Sequence, residues 1–338
     1  MTPEKTRSFL ETGHFAEGVK VRLPMLRVRG RGEGPKLVVT AAQHGRELNG
    51  IASIERVFAQ LDPAKVKGEV VFLPVMNPLA VRSRRQDFPQ EECRYRHLPI
   101  SQSCNMNRLW PGGSEEKNGT YASAVAEVAW DRVLQNADIV IDLHGWSGSS
   151  LSLVWGQKIH RKYVRAFGLP WHMILEKKDD PKGGMLDALC RSHGMITMIA
   201  ELTPQSILSN RSVGFGENGI LNVMKTAGML EGSPTLPATQ CELDESHEET
   251  IVRSPVAGLA VSDFEIGDMI KRGETLVRVL SLETLESIFS FSSPHNALVW
   301  NVGTAAWGED HTEHAVVEPG QIIGMIKRPS RILKNGKA

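Results

Sequence analysis

The 338-residue chain has few cysteines, no excess charge of either sign and no long apolar run. Its four cysteines are scattered without a CxxC pair, which argues against a disulfide framework and against a thiolate metal site. Lys and Arg number 39, as do Asp and Glu, so we expect neither a nucleic-acid partner nor a membrane partner. The first ten residues, MTPEKTRSFL, also lack the pattern of a secretory signal. The sequence therefore predicts a soluble, cytoplasmic protein that acts on a small molecule.

Two common catalytic motifs are missing as well. No serine lies in a GxSxG elbow, so serine hydrolase chemistry has no support. The glycine-rich run GRGEGPK, which begins at Gly30, precedes a strand pattern, whereas a phosphate-binding loop would open a helix. The sequence therefore supports neither serine hydrolase chemistry nor a phosphate-binding loop.

Apolar, β-branched runs alternate with helical patterns through the first two thirds of the chain. The strand-like runs include 37–41, 69–75 and 138–143, and the helical patterns include 51–61 and 121–134. The runs are apolar almost throughout, as expected for strands that helices cover on both faces. We predict an α/β catalytic domain over residues 1–232, with a sheet flanked by helices.

A second, smaller domain is expected after a linker. Residues 233–250 are rich in proline, serine and acidic residues without periodicity, which is typical of a linker. Residues 251–328 repeat loosely, because SPVAGLAV at Ser254 is echoed by SPHNALVW at Ser293. This pattern resembles the small all-β hammerhead barrel of biotinyl and lipoyl carrier domains. Where a carrier would present a modifiable lysine, residues 281–286 read SLETLE, so no covalent cofactor is expected.

Two short motifs at strand ends predict a metal site. In QHGRE, directly after the first apolar run, His44 and Glu47 are three residues apart and can face one point from a single turn. In DLHG, His144 follows the apolar run DIVIDL, and ligands gather at the carboxyl ends of strands in α/β sheets. Two histidines and one glutamate with a long spacer form a catalytic zinc set that leaves one position open. A capping histidine and a helix-start glutamate are the competing interpretation of His44 and Glu47.

Two further acids are candidates for roles at this site. Asp142 shares a strand face with His144 and is a candidate to orient that imidazole from behind. Glu201 ends the apolar run ITMIAE, where a carboxylate needs a partner or a function, so it is the candidate general base. The alternative for Glu201 is a solvated side chain at the end of a strand.

The long connection between residues 77 and 121 supplies candidate substrate contacts. Asn107 and Arg108 in NMNRLWPG suit the capture of a substrate carboxylate, although an ordinary surface ion pair explains the arginine equally well. A second cation near the metal would stabilise an oxyanion. Periodicity does not choose among the arginines that the region offers, which are Arg82, Arg84, Arg85, Arg94 and Arg96.

Taken in order, HGRE, the NP at Asn77, NMNRLWPG, DLHG and MIAEL resemble the succinylglutamate desuccinylase and aspartoacylase family of the zinc carboxypeptidase clan. The resemblance runs from about residue 36 to residue 326. It implies a zinc carboxypeptidase-like mixed sheet, one zinc ion per chain on His44, Glu47 and His144, and Glu201 as general base. It also implies that Asn107 and Arg108 contact the substrate carboxylate. The family pattern of an arginine before the Asn-Arg pair fits Arg96 as the oxyanion residue, with Arg85 second.

Some residues depart from the family pattern. Aspartoacylase-like members bring a tyrosine from the C-terminal domain to the site, whereas the three tyrosines of this chain all precede residue 164. His311 and His314 in GEDHTEH are the nearest polar substitutes, and their HxxH spacing also fits a separate metal site or a solvated loop. The segment SCNMNR and the basic stretch before it indicate a different substrate pocket.

The sequence thus predicts a zinc-dependent deacylase that hydrolyses the amide of a small N-acyl amino acid or a related compound. One alternative is a zinc carboxypeptidase that acts on peptides or cell-wall fragments. Another is a non-catalytic metal-binding relative. The predicted barrel is compatible with a homo-oligomer.

Overall fold

The computed structural model describes residues 2–15, 19–88, 104–112, 120–146, 150–176, 184–244, 247–302 and 314–335. Its contacts divide the chain into two compact units. The first comprises Met1–Gly145 and Ser152–Pro237, and the second comprises Trp146–Leu151 and Ala238–Ala338. In the described part of the chain, no helix has both the length and the apolar character needed to span a membrane.

The described part of the first unit contains one mixed sheet. Its strands are β1 (Glu4–Phe15), β2 (Val19–Arg29), β3 (Lys36–Ala41), β4 (Glu69–Leu73), β5 (Ile139–His144), β6 (Leu153–Gln157), β7 (Trp171–Leu175) and β8 (Ile196–Glu201). Their spatial order is β1-β2-β4-β3-β5-β8-β6-β7. The central strands β4, β3, β5 and β8 run parallel, while β1, β2 and β6 introduce antiparallel pairs. The sheet is mixed, as the sequence predicts.

Helices cover both faces of this sheet. They are α1 (Asn49–Gln60), α2 (Pro78–Ser83), α3 (Tyr121–Ala129), α4 (Arg161–Phe167), α5 (Leu186–Ser192) and α6 (Asn210–Thr226), and α3 continues into a π-helical turn at Trp130–Leu134. Two apolar cores result, one beneath α1 and α6 and the other beneath α3 and α5. Every residue of β5 is buried because the strand lies between these cores. The strand that carries Asp142 and His144 is therefore held on both faces.

The N-terminal hairpin is a feature that the sequence analysis did not anticipate. Strands β1 and β2 pair antiparallel, and β2 joins the sheet beside β4. Their residues mix charged and apolar side chains, so they do not show the continuous apolar runs of the central strands. A strand at the edge of a sheet that carries charged side chains is partly solvated, so its pattern of apolar residues is weak.

The second unit consists of β-strands in its described residues. They are β9 (Thr239–Asp244), β10 (Glu249–Arg253), β11 (Gly258–Val261), β12 (Met269–Ile270), β13 (Thr275–Leu280), β14 (Ser287–Ser292), β15 (Ala297–Val302), β16 (Val316–Val317), β17 (Ile322–Lys327) and β18 (Arg331–Lys334). Two four-stranded sheets have the orders β10-β17-β15-β12 and β14-β13-β11-β16. Strand β9 lies inside the predicted linker 233–250, where it pairs with β18. Because β9 pairs with a strand about 90 residues later in the chain, its own sequence, TQCELD, shows no periodicity that would predict a strand.

The repeat noted in the sequence has a structural counterpart. Ser254 Oγ donates a hydrogen bond to the Val256 carbonyl at 2.5 Å, and Ser293 Oγ donates to the His295 carbonyl at 2.6 Å. Both serines are buried. A strand begins four residues after each of them, β11 after Ser254 and β15 after Ser293. The two halves thus begin with the same local turn.

Candidate metal and catalytic site

The QHGRE segment is the turn that joins β3 to α1. It leaves the strand through Ala42, whose φ is 54°, and the Glu47 amide donates to the His44 carbonyl at 3.2 Å. Gly45 lies against another segment, because a Cβ atom there would meet the Ala80 carbonyl carbon at 2.2 Å and the Arg85 oxygen at 2.4 Å. Only glycine fits this approach. The turn presents the two candidate ligands on one side, as their spacing predicts.

The second motif lies at the carboxyl end of β5. In the parallel register, Asp142 lies opposite Thr40 of β3, and His144 lies opposite Glu201 of β8. Asp142, His144 and Glu201 are all buried. The sheet therefore brings the ends of three strands, and with them the predicted site residues, to one edge.

Glu47 contacts both histidines through its two carboxylate oxygens. His44 Nδ1 lies 2.8 Å from Glu47 Oε1, and His144 Nδ1 lies 2.9 Å from Glu47 Oε2. One ligand atom from each of the three residues lies within 4.8 Å of the others. Among the described residues, the predicted trio thus forms a buried cluster with the composition of a metal site.

The outer nitrogen of each imidazole faces an oxygen acceptor. His144 Nε2 lies 2.7 Å from Asp142 Oδ2, and His44 Nε2 lies 3.0 Å from Asn105 Oδ1. Since each Nε2 can donate its proton there, a neutral ring leaves the Nδ1 lone pair directed at the Glu47 carboxylate. Lone pair and carboxylate repel unless a cation or a proton lies between them. The arrangement therefore fits a divalent metal held by both Nδ1 atoms and Glu47.

Asn105 is a site residue that the sequence analysis missed. Its Oδ1 also accepts from the Asn107 amide at 2.9 Å, so the atom facing His44 is the oxygen. The signal was present in NMNR, where an asparagine precedes a short 3-10 helix, Met106–Arg108, that it caps. Its contact with a residue 61 positions earlier in the chain could not be read from that local pattern.

The charges of the cluster depend strongly on one another. Burial opposes ionisation of Glu47, but the two histidines outweigh this effect and lower the pKa of Glu47 to about 2. Burial likewise disfavours a charged His144, yet Asp142 and Glu47 raise the pKa of His144 well above its ordinary value. Without a metal, the carboxylates thus hold protons on the imidazoles. Metal binding must displace these protons, so the affinity for a metal falls at low pH.

Glu201 is a buried carboxyl group whose pKa is raised, whereas that of Glu47 is lowered. It is 4% exposed, and its Oε2 atom makes no hydrogen bond within the described residues. Burial, together with the nearby carboxylates of Glu47 and Asp142, raises the pKa of Glu201 to about 8. The solvated alternative for this side chain is therefore wrong. A buried carboxyl group with such an oxygen beside a candidate metal cluster is suited to accept and return a proton near neutral pH.

This shift predicts a pH-dependent stability of the metal-free protein. Between the ordinary pKa of 4.5 and about 8, the native state keeps a proton on Glu201 that the unfolded chain has released. Stability from this group is therefore lost as pH rises through that window. We expect metal-free Glu201→Gln to melt at least about 3 °C above metal-free wild type at pH 8, with the gap closing near pH 5. Differential scanning calorimetry after chelator treatment measures this, and an equal gap at both pH values would contradict it.

Asn107 and Arg108 lie in the same loop as Asn105. The buried Asn107 accepts a hydrogen bond from the Leu186 amide through Oδ1 at 3.1 Å, which fastens the start of α5. The half-buried Arg108 donates from Nη1 to the Asn107 carbonyl at 2.7 Å. The Asn107 oxygen thus has a structural contact that the sequence did not reveal. Contact of either residue with a substrate carboxylate stays a prediction.

The oxyanion residue stays a prediction too. Arg96, like Arg94, lies outside the described residues, and the side chains of Arg82, Arg84 and Arg85 are exposed. Two amides that the sequence analysis did not single out approach the cluster. Gln86 Nε2 lies 3.2 Å from Glu47 Oε1, and Gln205 Nε2 lies 3.4 Å from the same oxygen. Both segments are irregular, so neither glutamine had a periodic signal.

His311 and His314 form no metal cluster in the described part of the chain. His311 lies outside the described residues, and His314 is exposed, with Nδ1 accepting from the Val316 amide at 3.0 Å. In the part of the chain that the structure describes, the group that could hold a metal ion is that of His44, Glu47 and His144.

Comparison with known proteins adds to this geometry. The curated N-alpha-acetyl-L-2,4-diaminobutyric acid deacetylase of Halomonas elongata is 26% identical over 274 residues, covering 78% of this chain and 75% of that protein. The fold is similar to the crystal structure of a succinylglutamate desuccinylase/aspartoacylase from Rhodobacter sphaeroides, with a TM-score of 0.71, 21% identity, and coverage of 97% and 96%. It is equally similar to product-bound EutE (DoeB), an ectoine utilization protein of Ruegeria pomeroyi, with a TM-score of 0.72, 21% identity, and coverage of 97% and 98%.

The sequence also matches a protein family directly. The family model described as the succinylglutamate desuccinylase/aspartoacylase catalytic domain aligns with residues 33–227. This match covers more than half of the chain. It contains the five candidate site residues at the strand ends, which are His44, Glu47, Asp142, His144 and Glu201. The motifs, the mixed sheet and the family match agree, and the chain belongs to the succinylglutamate desuccinylase/aspartoacylase family.

Proposed function

We propose that the protein is a zinc-dependent amidohydrolase that removes the acyl group from a small N-acyl amino acid or a related compound. The observation that carries this proposal is the buried His44, Glu47 and His144 cluster, beside which one Glu201 oxygen has no hydrogen-bond partner among the described residues. The deacetylase relative, which shares 26% identity, supports an N-acyl amino acid as the substrate class. Family membership supports hydrolysis of an amide bond.

Zinc fits the donor set of the cluster. Two imidazole nitrogens and one carboxylate are a three-ligand set found in catalytic zinc sites, where a fourth position stays open. One ion per chain would be held by His44 Nδ1, His144 Nδ1 and Glu47. Asp142 and Asn105 would hold the two rings in the matching tautomer through their Nε2 atoms.

The residues around the cluster supply the steps of the reaction. When bound, the zinc ion supplies a Lewis acid that lowers the pKa of a water molecule and polarises the acyl carbonyl. Glu201 accepts the proton that the attacking water releases and returns it to the leaving nitrogen. Its burial keeps its proton affinity high, so it can carry a proton near neutral pH. Arg96, or Arg85 in its place, is proposed to stabilise the oxyanion.

Arg108 and Asn107 are proposed to bind the substrate carboxylate. We expect Arg108→Ala to raise KM by about tenfold or more and to lower kcat less, because a carboxylate distant from the reacting bond is bound equally in ground and transition states. Steady-state kinetics on the best N-acyl amino acid measure this split. The exposed Arg132, changed to Ala, is a matched control that should leave both constants unchanged. An unchanged KM in Arg108→Ala would remove the assignment.

The substrate class is tested with a panel of N-acetyl, N-succinyl and N-formyl amino acids, by assay of the amine released. We expect turnover of small N-acyl amino acids with a free carboxylate and poor turnover of their esters and amides. Release of C-terminal residues from long peptides, without deacylation of the small compounds, would instead identify a carboxypeptidase.

We also propose that residues 251–328 form a hammerhead-like barrel that carries no cofactor. The paired serine turns at Ser254 and Ser293 support an internal repeat. The connection between β13 and β14 is SLETLE, and it offers no lysine for modification. Intact mass of the purified protein should therefore show no biotinyl or lipoyl group.

A further inference from the structure

Gln43 connects the candidate metal site to a buried tryptophan. Gln43 is fully buried, and its Oε1 accepts from Trp110 Nε1 at 2.8 Å. Its Nε2 donates to Asp142 Oδ2 at 2.6 Å. An indole N–H can only donate and an ionised carboxylate can only accept, so each neighbour fixes the same orientation of the amide. A flipped amide would set two oxygens against each other at Asp142 and two donors at Trp110.

Asp142 is held through both of its oxygens. Oδ1 accepts from Thr40 Oγ1 at 2.6 Å, and Oδ2 accepts from Gln43 and, at 2.7 Å, from His144 Nε2. The carboxylate has no solvent exposure, so water cannot replace a lost donor. Gln43 thus stabilises the very oxygen that faces His144. Loss of its N–H would remove one of the two donors to that oxygen and loosen the position of the carboxylate.

Trp110 connects this series of hydrogen bonds to the loop that contacts His44. Trp110 is fully buried in the core beneath α3, and its backbone amide donates to the Gly184 carbonyl at 3.0 Å. Asn105, five residues earlier, contacts His44 directly. One loop therefore supports both histidines, His44 through Asn105 and His144 through Trp110, Gln43 and Asp142.

We propose that Gln43 is a positioning residue that holds Asp142 against His144, and that Trp110 fixes the orientation of the Gln43 amide. Gln43 directly precedes His44 in the chain, but its two side-chain hydrogen bonds go to Asp142 and Trp110. The effect of Gln43 and Trp110 on the reaction passes through the orientation and tautomer of His144. This inference rests on the zinc site proposed above.

The test is the zinc affinity of variants, measured by competition with a chromogenic chelator at fixed pH. Gln43→Met keeps the length of the side chain and removes both hydrogen bonds, and we expect zinc affinity to fall about 10- to 100-fold. Trp110→Phe removes the indole N–H and leaves a smaller ring, and we expect a smaller loss of zinc affinity. The double variant should lose no more than Gln43→Met, because both changes break one chain of contacts.

Trp130→Phe is the matched control, since Trp130 lies in the same apolar core but does not belong to this series of hydrogen bonds. It should keep wild-type zinc affinity. Melting of the metal-free proteins identifies variants that fail to fold, and if Gln43→Met is among them, Trp110→Phe decides. Wild-type zinc affinity in a folded Gln43→Met or Trp110→Phe variant would overturn the role of Gln43. Failure of the wild type to bind zinc would instead overturn the proposed metal site.

Discussion

Glu201→Gln is expected to lower kcat at least about a hundredfold while zinc content and KM stay close to those of the wild type. The amide has nearly the same shape as the carboxyl group, so the neighbouring cluster is preserved. It cannot accept the proton of the attacking water or return it to the leaving nitrogen. Because Glu201 is 4% exposed, bulk water does not take over this proton transfer. The change in kcat is measured from initial rates on an N-acyl amino acid that the wild type hydrolyses. Metal analysis of the same preparation gives the zinc content.

The control for this change is Glu231→Gln, an exposed glutamate outside the site. It should turn over as the wild type does. Turnover of Glu201→Gln within a few-fold of the wild type would show that another group moves the proton. A loss of zinc in the same variant would assign Glu201 to the metal site rather than to proton transfer.

The second large effect is expected for His144→Ala, which should lose the single zinc ion and all measurable deacylation. The change removes one of three ligands. It also leaves the fully buried Asp142 without the donor that lies 2.7 Å from its Oδ2 atom. Asp142 keeps its hydrogen bonds from Thr40 and Gln43, but losing one donor to a buried carboxylate is costly, so a lower melting temperature is expected too. Elemental analysis of protein purified without chelator or nickel affinity should find about one zinc per chain in the wild type.

His314→Ala is the matched control, because that histidine is exposed and belongs to the HxxH motif of the second unit. It should keep the zinc. Loss of zinc in His314→Ala and retention in His144→Ala would move the site to the other motif. A wild type that holds no zinc and binds none on titration would leave the chain as a non-catalytic relative.

The central part of the site could be predicted because its signals are local. His44 and Glu47 share one turn, Asp142 and His144 share one strand face, and Glu201 ends an apolar run. Parallel strands then bring these ends to one edge of the sheet, which the α/β pattern already implied. Short-range spacing and one topological rule therefore suffice to bring the candidate metal ligands and the candidate base together.

The supporting contacts could not be predicted because they join distant segments. Gln43 contacts Asp142 across 99 positions and Trp110 across 67, and neither contact follows a helical or strand period. Asn105 lies in an irregular loop, where side-chain direction depends on the folded neighbours. For the same reason, the hairpin of β1 and β2 was missed, since an edge strand lacks the continuous apolar character of β5.

The separation of the ligands along the chain has a consequence for the order in which the protein matures. Glu47 and His144 are 97 positions apart, and their contact requires β3 and β5 to be paired. A growing chain on the ribosome therefore carries at first only the local His44 and Glu47 pair, which is too few ligands for tight binding. The proposed zinc ion would then be captured after the central sheet has formed, so it would stabilise a finished fold and would not nucleate it. Metal shortage during synthesis should accordingly yield folded, empty protein that can be activated later.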